Sequence, residues 1–322
     1  MLASIARRTL LGALALPALA RAQAEWPTRP LRIIAPYSPG GGVDTTARLL
    51  ALVMGRELGQ NIVVDNRPGS AGMIGAAEAA RSPADGYTLL VDAISHVSNQ
   101  QVLTGLPFDY LTAFAPVSLS VIVPHVMVVP LSSPAHSVPE FIALAKAHPG
   151  QLAYGTPGAL TASHFASALL ANRAGIELVH VPYRGGTAAL PDLMSGNIAM
   201  MMGTVSSSAQ LVKEGRIRGI GVTTRNRLPS LPEIPTIAEQ GLPGYEMNEW
   251  NGLFAVAGTP PASMARLTAA AQAAMRDPVV QARMATLGLM PVGSNAEEFA
   301  SFIATQRDVV RKLIADNHMT AS

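Results

Sequence analysis

The chain has 322 residues, 49 % of them hydrophobic, so it can bury a large core, and its length suggests two domains. It contains 23 basic residues, 21 acidic residues and no cysteine. The lack of cysteine excludes a disulfide framework, thiol catalysis and a cysteine-ligated metal site.

The first 24 residues have the pattern of a cleavable secretion leader. Arg7 and Arg8 form a basic segment, Thr9–Ala20 is an apolar stretch of 12 residues, and Ala22-Gln23-Ala24 is an A-x-A cleavage signal. The apolar stretch is too short to span a membrane, and we favour a leader over a buried N-terminal helix. The R-R-T-L-L sequence that begins at Arg7 also resembles a twin-arginine export signal, so the export route stays open.

The leader accounts for the net positive charge of the whole chain. It carries three arginines and no acid, so the remaining chain has 20 basic and 21 acidic residues, a net charge of −1. No run of Lys or Arg follows, which argues against nucleic-acid binding. No later apolar stretch approaches 20 residues without a break, so we predict no transmembrane helix.

Short apolar segments alternate with helical patterns along the rest of the chain. Helical patterns lie, for example, at Pro139–Ala147, Ser163–Ala174 and Thr187–Ser195. The alternation predicts an α/β architecture with mainly parallel sheets. The predicted strands are Leu31–Ala35, Asn61–Asp65, Thr88–Asp92, Ala115–Val123, His125–Pro130, Leu152–Tyr154, Leu178–Val181, Ala199–Met202, Gly219–Thr223 and Gly252–Val256.

The loops that follow these strands are the first places to look for a ligand site, because open α/β sheets bind ligands beyond the carboxyl ends of their strands. These loops are poor in Lys, Glu and Asp and rich in Gly, Ser, Thr and Pro, so they offer backbone N–H groups and hydroxyls rather than catalytic acids. They are Tyr37–Asp44, Asn66–Gly75, Ala93–Ser98, Tyr154–Ser163, Pro182–Thr187 and Gly203–Ser208.

Three consecutive glycines, Gly40 to Gly42, stand between the first predicted strand and a helical pattern. Glycine lets a ligand approach the backbone closely, and a helix N-terminus offers free N–H groups and a partial positive charge. One interpretation is therefore a site for a carboxylate or a phosphate. The other is a tight strand–helix turn in which Asp44 caps the helix, and the loop alone does not decide between them.

Motifs for other chemistries are missing. The sequence has no G-x-x-x-x-G-K-[ST] or G-x-G-x-x-G motif, which argues against a nucleotide site. No two of the seven histidines have H-x-x-x-H spacing, and no serine lies in a G-x-S-x-G context. His164 opens a predicted helix, where packing or capping is favoured over a ligand contact. We therefore predict no metal, no cofactor and no catalytic residues.

Seven stretches in order carry a family resemblance: PYSPGGGVDTTAR, VVDNRPGSAGMIGA, ADGYTLL, YGTPGALTASH, VPYRGGTAALPDLMSGNI, GRIRGIGVTTRNRLPSLPEIPTIAEQGLPGYE and WNGLFAVAGTP. They resemble the periplasmic solute-binding proteins of tripartite tricarboxylate transporters, the Bug (Bordetella uptake gene) family. The resemblance implies a two-lobed Venus-flytrap fold (type II periplasmic binding protein) with a ligand cleft between the lobes. Lobe one would comprise residues 26–123 and 229–322, and lobe two residues 124–228, with crossovers near Ser120–Val126 and Thr223–Leu228.

The resemblance also implies a set of ligand-binding residues. A ligand carboxylate would lie against the first strand–helix loop, held by backbone amides and ordered waters. Matching residues in lobe one are Tyr37, Pro39, Gly40, Gly41, Gly42, Val43, Asp44, Ala71, Gly72, Ser95 and His96. Matching residues in lobe two are Thr156, Gly158, Thr161, Tyr183, Gly185, Gly186 and Thr187.

Two positions depart from the family pattern. Leu160 stands where the family commonly has glycine, and Ala199 where it often has aspartate. Because of these two differences, the ligand of a known family member is not assigned to this protein.

The resemblance favours one function over two alternatives. The preferred hypothesis is an exported, monomeric solute-binding protein that delivers a small carboxylate to the permease subunits of a tripartite tricarboxylate transporter. A periplasmic ligand sensor that docks onto a signalling receptor would have a similar sequence. An exported enzyme on the same fold would need an acid, base or nucleophile set that the loops lack. Asp44 could also meet a ligand amine, although we favour the helix cap.

Overall fold

The computed structural model describes residues 26–320, so the predicted leader lies outside the described residues. The chain forms two β-sheets, one of six strands and one of five, with helices on their faces. Within residues 26–320 no helix is both long and apolar enough to cross a bilayer.

The six-stranded sheet has the order β11-β4-β10-β3-β1-β2. Its central strands pair in parallel, β1 with β2 and with β3, whereas β10 runs antiparallel between β3 and β4. The beginning of β10 therefore lies at the edge where β1, β3 and β4 end. The strands are β1 (Leu31–Ala35), β2 (Ile62–Asn66), β3 (Thr88–Asp92), β4 (Phe114–Val123), β10 (Glu249–Val256) and β11 (Met290–Pro291).

The five-stranded sheet has the order β7-β6-β8-β5-β9. Strand β6 pairs in parallel with β7 and β8, and β5 runs antiparallel between β8 and β9. Because His125 is opposite Thr204, β5 begins where β8 ends. The strands are β5 (His125–Val129), β6 (Ala153–Thr156), β7 (Val179–Pro182), β8 (Met200–Thr204) and β9 (Arg218–Val222).

Helices cover both sheets, and their ends follow local sequence signals. Gly59 ends the first helix with a left-handed φ of +67°, and Asn295 and Glu298 form a capping box at the start of the last helix. The helices are α1 (Gly42–Leu58), α2 (Met73–Ala80), α3 (Ser95–Val102), α4 (Tyr110–Ala113), α5 (Val138–Ala147), α6 (Ala162–Ala174), α7 (Leu190–Ser195), α8 (Val205–Lys213), α9 (Pro261–Arg276), α10 (Pro278–Thr286) and α11 (Ala296–Asp316).

The buried core continues from one sheet to the other. Phe254 of β10 and Phe299 of α11 belong to the same buried apolar cluster as Phe165 of α6 and Met127 of β5. A second cluster packs α1 and α9 against the six-stranded sheet. The central strands of both sheets are largely buried between helices, whereas the edge strands β2 and β7 are partly exposed.

All ten predicted strands are present with small shifts at their ends, and the two-residue β11 is the strand that the sequence did not indicate. The prediction of mainly parallel sheets is wrong, because both sheets are mixed. The strands β5 and β10 enter their sheets from the connecting segments and so run opposite to their neighbours. The predicted helix at Thr187–Ser195 begins as a 3₁₀ turn, Gly186–Ala189, and becomes α-helical at Leu190.

The chain passes between the sheets twice, at Pro124 between β4 and β5 and again between β9 and β10. Residues 229–248, which the family resemblance placed in lobe one, hydrogen-bond to the five-stranded half. The Ile237 N–H donates to the carbonyl of Val222 at 2.9 Å, and the Tyr245 hydroxyl donates to the carbonyl of Ala166 at 2.8 Å. We propose from these contacts that the second lobe boundary lies near Asn248.

Candidate functional site

The glycine loop joins the end of β1 to the start of α1. Gly41 is the N-cap residue, and no side chain caps the helix. The N–H groups of Gly42, Val43 and Asp44 have no acceptor within the helix, as in any first turn. The space where a Cβ of Gly42 would lie is open. The helix therefore presents free donors, and the positive end of its dipole, at the carboxyl edge of the sheet.

Asp44 is not the helix cap, which corrects the sequence interpretation. It lies in the first turn of α1, its residue is 3 % exposed, and its carboxylate accepts hydrogen bonds from three groups. These are the Gly40 N–H at 2.8 Å, the Asn66 side-chain amide at 2.9 Å and the Arg48 guanidinium at 3.0 Å. The carboxylate thus fixes the loop at Gly40, whose φ of +81° favours glycine.

The environment of Asp44 keeps its carboxylate ionised. Burial acts to raise its pKa, but the hydrogen bonds from Arg48, Gly40 and Asn66 outweigh burial and hold the pKa below its usual value. A negative charge committed to loop structure in this way is not free to bind a ligand amine.

Asp92 organises the second loop of the same edge. This residue ends β3, is 1 % exposed, and accepts hydrogen bonds from the Ala93 N–H at 2.9 Å, the Ser95 hydroxyl at 3.1 Å and the Tyr37 hydroxyl at 3.2 Å. Its second oxygen is 3.1 Å from Nδ1 of His96. The hydroxyls of Tyr37 and Ser95 also contact each other. Both hydroxyls are thus engaged with the protein, and Asp92 fixes their positions.

Ala71 and Gly72 form a wall beside Tyr37. Ala71 has a left-handed φ of +51°, and its carbonyl accepts a hydrogen bond from the Asn99 side chain at 2.9 Å. A Cβ on Gly72 would approach the Tyr37 hydroxyl to 3.0 Å. Pro39, in contrast, is exposed and makes no hydrogen bond among the described residues. The structure therefore joins most of the lobe-one candidates into one surface around Tyr37 and the α1 terminus.

Glu249 lies next to this surface and was missed by the sequence analysis. One of its carboxyl oxygens accepts the N–H of Ile94 at 3.1 Å and that of Trp250 at 2.9 Å. Burial raises the pKa of Glu249 to about 7, the two backbone hydrogen bonds act to lower it, and the charge of Asp92 adds to the increase. Glu249 directly precedes one of the family-like stretches, and no local pattern distinguishes it from a surface acid.

In the five-stranded half, Thr156 and Thr161 organise the loop between β6 and α6. The Thr156 hydroxyl is 2.6 Å from Nε2 of His180 and accepts the Gly158 N–H at 3.2 Å. Thr161 is the N-cap of α6, and its hydroxyl donates to the carbonyl of Gly158 at 2.9 Å. These hydroxyls bind their own loop, as those of Tyr37 and Ser95 do in the other half.

His164 packs at the beginning of α6, as the sequence analysis favoured. Its ring stacks on that of His180 with centroids 3.9 Å apart, and its Nδ1 accepts the Leu160 N–H at 3.1 Å. Burial, with a smaller contribution from His180, lowers the pKa of His164 to about 4. Leu160 itself has a left-handed φ of +57°, a conformation that glycine adopts at lower cost.

The loop after β7 contains the remaining candidates. The Tyr183 N–H donates to the carbonyl of Thr156 at 2.9 Å, and the Tyr183 hydroxyl donates to Asp192 at 2.7 Å. Gly185 has a φ of +106°, and no atom lies near its Cβ position. Gly186 and Thr187 begin the 3₁₀ turn that follows, and a Cβ on Gly186 would lie 3.7 Å from the ring of Pro157. Arg184 is exposed.

The described residues hold no group of three or more side chains arranged to bind a metal ion. A cavity of about 510 Å³ lies between α6 and α11, at the ends of these helices far from Thr161. It includes none of the candidate residues, so the loops at the strand ends remain the candidate site.

Comparison with known families identifies the type of protein. The model of the tripartite tricarboxylate transporter family receptor, TctC, matches residues 46–319. The chain belongs to this receptor family. One relative of the receptor is the UPF0065 protein in the tcbD-tcbE intergenic region of Pseudomonas sp. (strain P51), which is 39 % identical, with all of this chain and 97 % of the relative aligned.

Solved structures resemble the receptor over nearly its full length. Rpa4515 of R. palustris with adipate is 32 % identical with a TM-score of 0.76, covering 92 % of this chain and 99 % of that one. The periplasmic binding protein BugD is 29 % identical with a TM-score of 0.73, covering 92 % and 99 %. MatC of Rhodopseudomonas palustris with bound malate is 28 % identical with a TM-score of 0.70, covering 88 % and 100 %.

These comparisons confirm the two-lobed periplasmic-binding-protein fold and the resemblance to the Bug proteins. The two sheets described above are the two lobes, and the loops at their carboxyl edges lie on either side of the crossovers. The receptor family consists of solute-binding proteins and includes periplasmic members such as BugD.

Proposed function

We propose that this receptor is an exported periplasmic protein that captures a small carboxylate between its lobes. It then delivers the carboxylate to the membrane permease of a tripartite tricarboxylate transporter. The observation that supports this most directly is the start of α1, where three backbone N–H groups without partners in the helix lie at the carboxyl edge of lobe one. The adipate and malate complexes of related proteins favour a carboxylate over a phosphate.

The proposed contact is made by backbone N–H groups rather than by hydroxyls. The hydroxyls of Tyr37 and Ser95 are bound to Asp92, and those of Thr156 and Thr161 to the loop around Gly158. We assign these side chains the role of holding the loops in place. The hydrogen bonds to the ligand carboxylate then come from the N–H groups in the first turn of α1. Gly185, Gly186 and Thr187 of lobe two cover the opposite side of the ligand when the lobes close.

Such a site has enough binding energy for a transport receptor. A hydrogen bond to a charged group contributes about 1.5–3 kcal/mol, and a helix N-terminus adds roughly 0.3–1 kcal/mol. Four such contacts at the upper end of these ranges supply about 13 kcal/mol, and about 8 kcal/mol, which corresponds to micromolar affinity, remains when ordering and closure cost about 5 kcal/mol. Closure of the lobes excludes water and strengthens each contact. Capture and release require no catalytic group, so we propose that the protein is not an enzyme.

The remaining parts of the proposal concern export and assembly. The leader pattern at residues 1–24 supports removal of the leader during export, by either the general or the twin-arginine route. Because one chain supplies both lobes, we propose that a single copy encloses the ligand and docks onto the permease.

The decisive experiment is calorimetric titration of the mature protein with adipate and with malate, using Gly42→Asp and Gly42→Asn as a matched pair. Gly42 has open space for a side chain. An aspartate in the first turn suits the helix dipole, so the Asp variant should fold normally and lose carboxylate binding. The Asn variant should retain most of the affinity. Equal affinity of the two variants, or the absence of binding by wild type to a wider panel of mono-, di- and tricarboxylates, would overturn the proposal.

A further inference from the structure

Glu249 occupies a particular place in the topology. It is the first residue of β10 and is opposite Val123, the last residue of β4. In the same strand Gly252 pairs with Asp92, the last residue of β3, so Glu249 extends beyond the end of β3. Both crossovers between the lobes begin or end at this pair of strands. Glu249 therefore lies at the base of the cleft, on the carboxyl edge where the proposed ligand binds.

The two carboxyl oxygens of Glu249 differ in their surroundings. One accepts the N–H groups of Ile94 and Trp250, which connects the crossover strand to the beginning of α3. The other makes no hydrogen bond among residues 26–320, and the residue is partly exposed. A carboxyl group held by one oxygen on the protein has its second oxygen available for a ligand.

Burial disfavours the ionised form of Glu249, and it outweighs the backbone hydrogen bonds from Trp250 and Ile94, which favour that form. The negative charge of Asp92, at the end of β3, raises the pKa of Glu249. The Tyr37 hydroxyl is close enough for the charge of Glu249 to raise the pKa of Tyr37 in turn. His96 from α3 hydrogen-bonds to Asp92, and His125 at the start of β5 is buried with a pKa lowered to about 4 by burial. Burial is the largest cause that raises the pKa of Glu249 to about 7, and no cation is among the groups that shift it, so its carboxyl is about half protonated near neutral pH.

We propose that Glu249 couples carboxylate capture to the uptake of one proton from solvent: the neutral carboxyl donates a hydrogen bond to the bound carboxylate, and the ionised form repels it. The inference rests on the proposed function and names the residue that would make binding depend on pH. A ligand carboxylate placed beside Asp92 and Glu249 would otherwise meet two negative charges. Protonation removes one of them and converts the free oxygen of Glu249 into a donor.

The coupling has a quantitative consequence. If binding requires protonated Glu249, the apparent Kd rises about tenfold for each pH unit above the pKa of the free protein and is nearly constant below it. Adipate is a dianion over the range pH 6.5 to 8.5, so its own ionisation does not contribute. At about pH 7.5 each adipate bound should carry between about half a proton and one proton into the complex.

Calorimetric titration with adipate at pH 6.5, 7.5 and 8.5 tests the inference, in buffers of different ionisation enthalpy so that proton uptake is measured on the wild type directly. Glu249→Gln mimics the protonated carboxyl and should bind adipate with little dependence on pH and no proton uptake. Glu246→Gln is the matched control, because Glu246 lies on the same crossover but is exposed and paired with Arg225. The Glu246→Gln variant should show the same change of apparent Kd with pH as the wild type.

The outcomes separate the two hypotheses. A wild type that binds adipate equally at all three pH values without taking up protons would overturn the inference and leave the proposed function intact. A Glu249→Gln protein with the wild-type slope would also overturn it. If neither adipate nor malate binds at any pH, and no member of the wider carboxylate panel does, the proposed function fails and the role of Glu249 fails with it.

Discussion

The carboxylate of Asp44 accepts a hydrogen bond from the backbone N–H of Gly40 at 2.8 Å, across the turn that begins α1. This bond runs backwards along the chain, from the first turn of the helix to the loop before it. It takes the Gly40 N–H away from a ligand and holds the glycine loop in the conformation that leaves the next N–H groups free. Asp44 therefore shapes the proposed site without needing to touch the ligand.

We expect Asp44→Ala to weaken adipate binding at least tenfold and to lower the free energy of unfolding by about 2–4 kcal/mol. The substitution leaves the Gly40 N–H and the Asn66 amide without their acceptor, and it removes the partner of Arg48. Calorimetry and chemical denaturation measure the two effects.

Arg48→Ala is the control for that prediction. The Arg48 side chain is 55 % exposed, and Asp44 keeps its bonds to Gly40 and Asn66 when the arginine is removed. Its effect on stability should be much smaller than that of Asp44→Ala, because solvent screens an exposed ion pair. If Arg48→Ala loses as much affinity as Asp44→Ala, then Asp44 supports binding through its ion pair with Arg48 rather than through its hydrogen bond to the Gly40 N–H.

Local sequence patterns predicted the strands and the loops at their carboxyl ends, because strand periodicity and glycine placement are local properties. The directions of β5 and β10 were not predictable in that way. Each of these strands follows a crossover. The side from which the chain enters the new lobe decides the direction of the strand. The order of apolar residues within the strand does not carry that information.

The contacts of the candidate site were harder to predict than its position. Ile94 and Glu249 are 155 positions apart in sequence, and no pattern near Glu249 indicates that its carboxyl would meet a helix start. The same holds for Asn66 and Asp44, which meet only because β2 lies beside β1. Asp92 did offer a signal, since it is an acid at the end of an otherwise apolar strand.

A second prediction concerns the loop of lobe two. Gly185 has a positive φ and would be strained by any side chain, whereas Gly186 has an ordinary φ and its Cβ would lie 3.7 Å from Pro157. We expect Gly186→Asp to fold with nearly wild-type stability and to weaken adipate binding more than tenfold, because its carboxylate would face the ligand when the lobes close.

Gly186→Asn has almost the same shape without the charge and should cost much less affinity. Measuring both variants at low and high salt would show whether the difference is electrostatic. Equal losses in the two variants would point to a steric effect, and wild-type affinity in both would remove this loop from the proposed site.

A third prediction concerns acid stability. The pKa of His164 is lowered to about 4 in the folded protein, so the unfolded chain takes up its proton first as the pH falls. The stability that neutral His164 contributes is complete above pH 6.5 and is lost as the pH falls toward 4. The loss from this residue alone should amount to about 1–3 kcal/mol. Chemical denaturation at a series of pH values measures it.

His164→Gln tests which residue is responsible. A glutamine in the first turn of α6 can still accept the Leu160 N–H but does not titrate. The variant should therefore lose less stability than wild type between pH 6.5 and 4. An unchanged acid limb would assign the effect to other histidines, such as His125, whose pKa burial lowers to about 4, or His180, whose pKa burial also lowers.

The fourth prediction uses the stability of the protein without ligand. The folded pKa of Glu249 is raised to about 7 from a usual value of 4.5, so its protonated form is favoured in the native state. This contribution is complete below pH 4.5 and is lost as the pH rises through 7. Glu249→Gln keeps a neutral group at all pH values. It should unfold at a higher temperature than wild type at pH 8, by an amount equivalent to about 1–3 kcal/mol, with the difference vanishing near pH 5. A Tm difference that is the same at pH 5 and pH 8 would mean that Glu249 does not titrate between them, and it would remove the proton that the coupling to carboxylate binding requires.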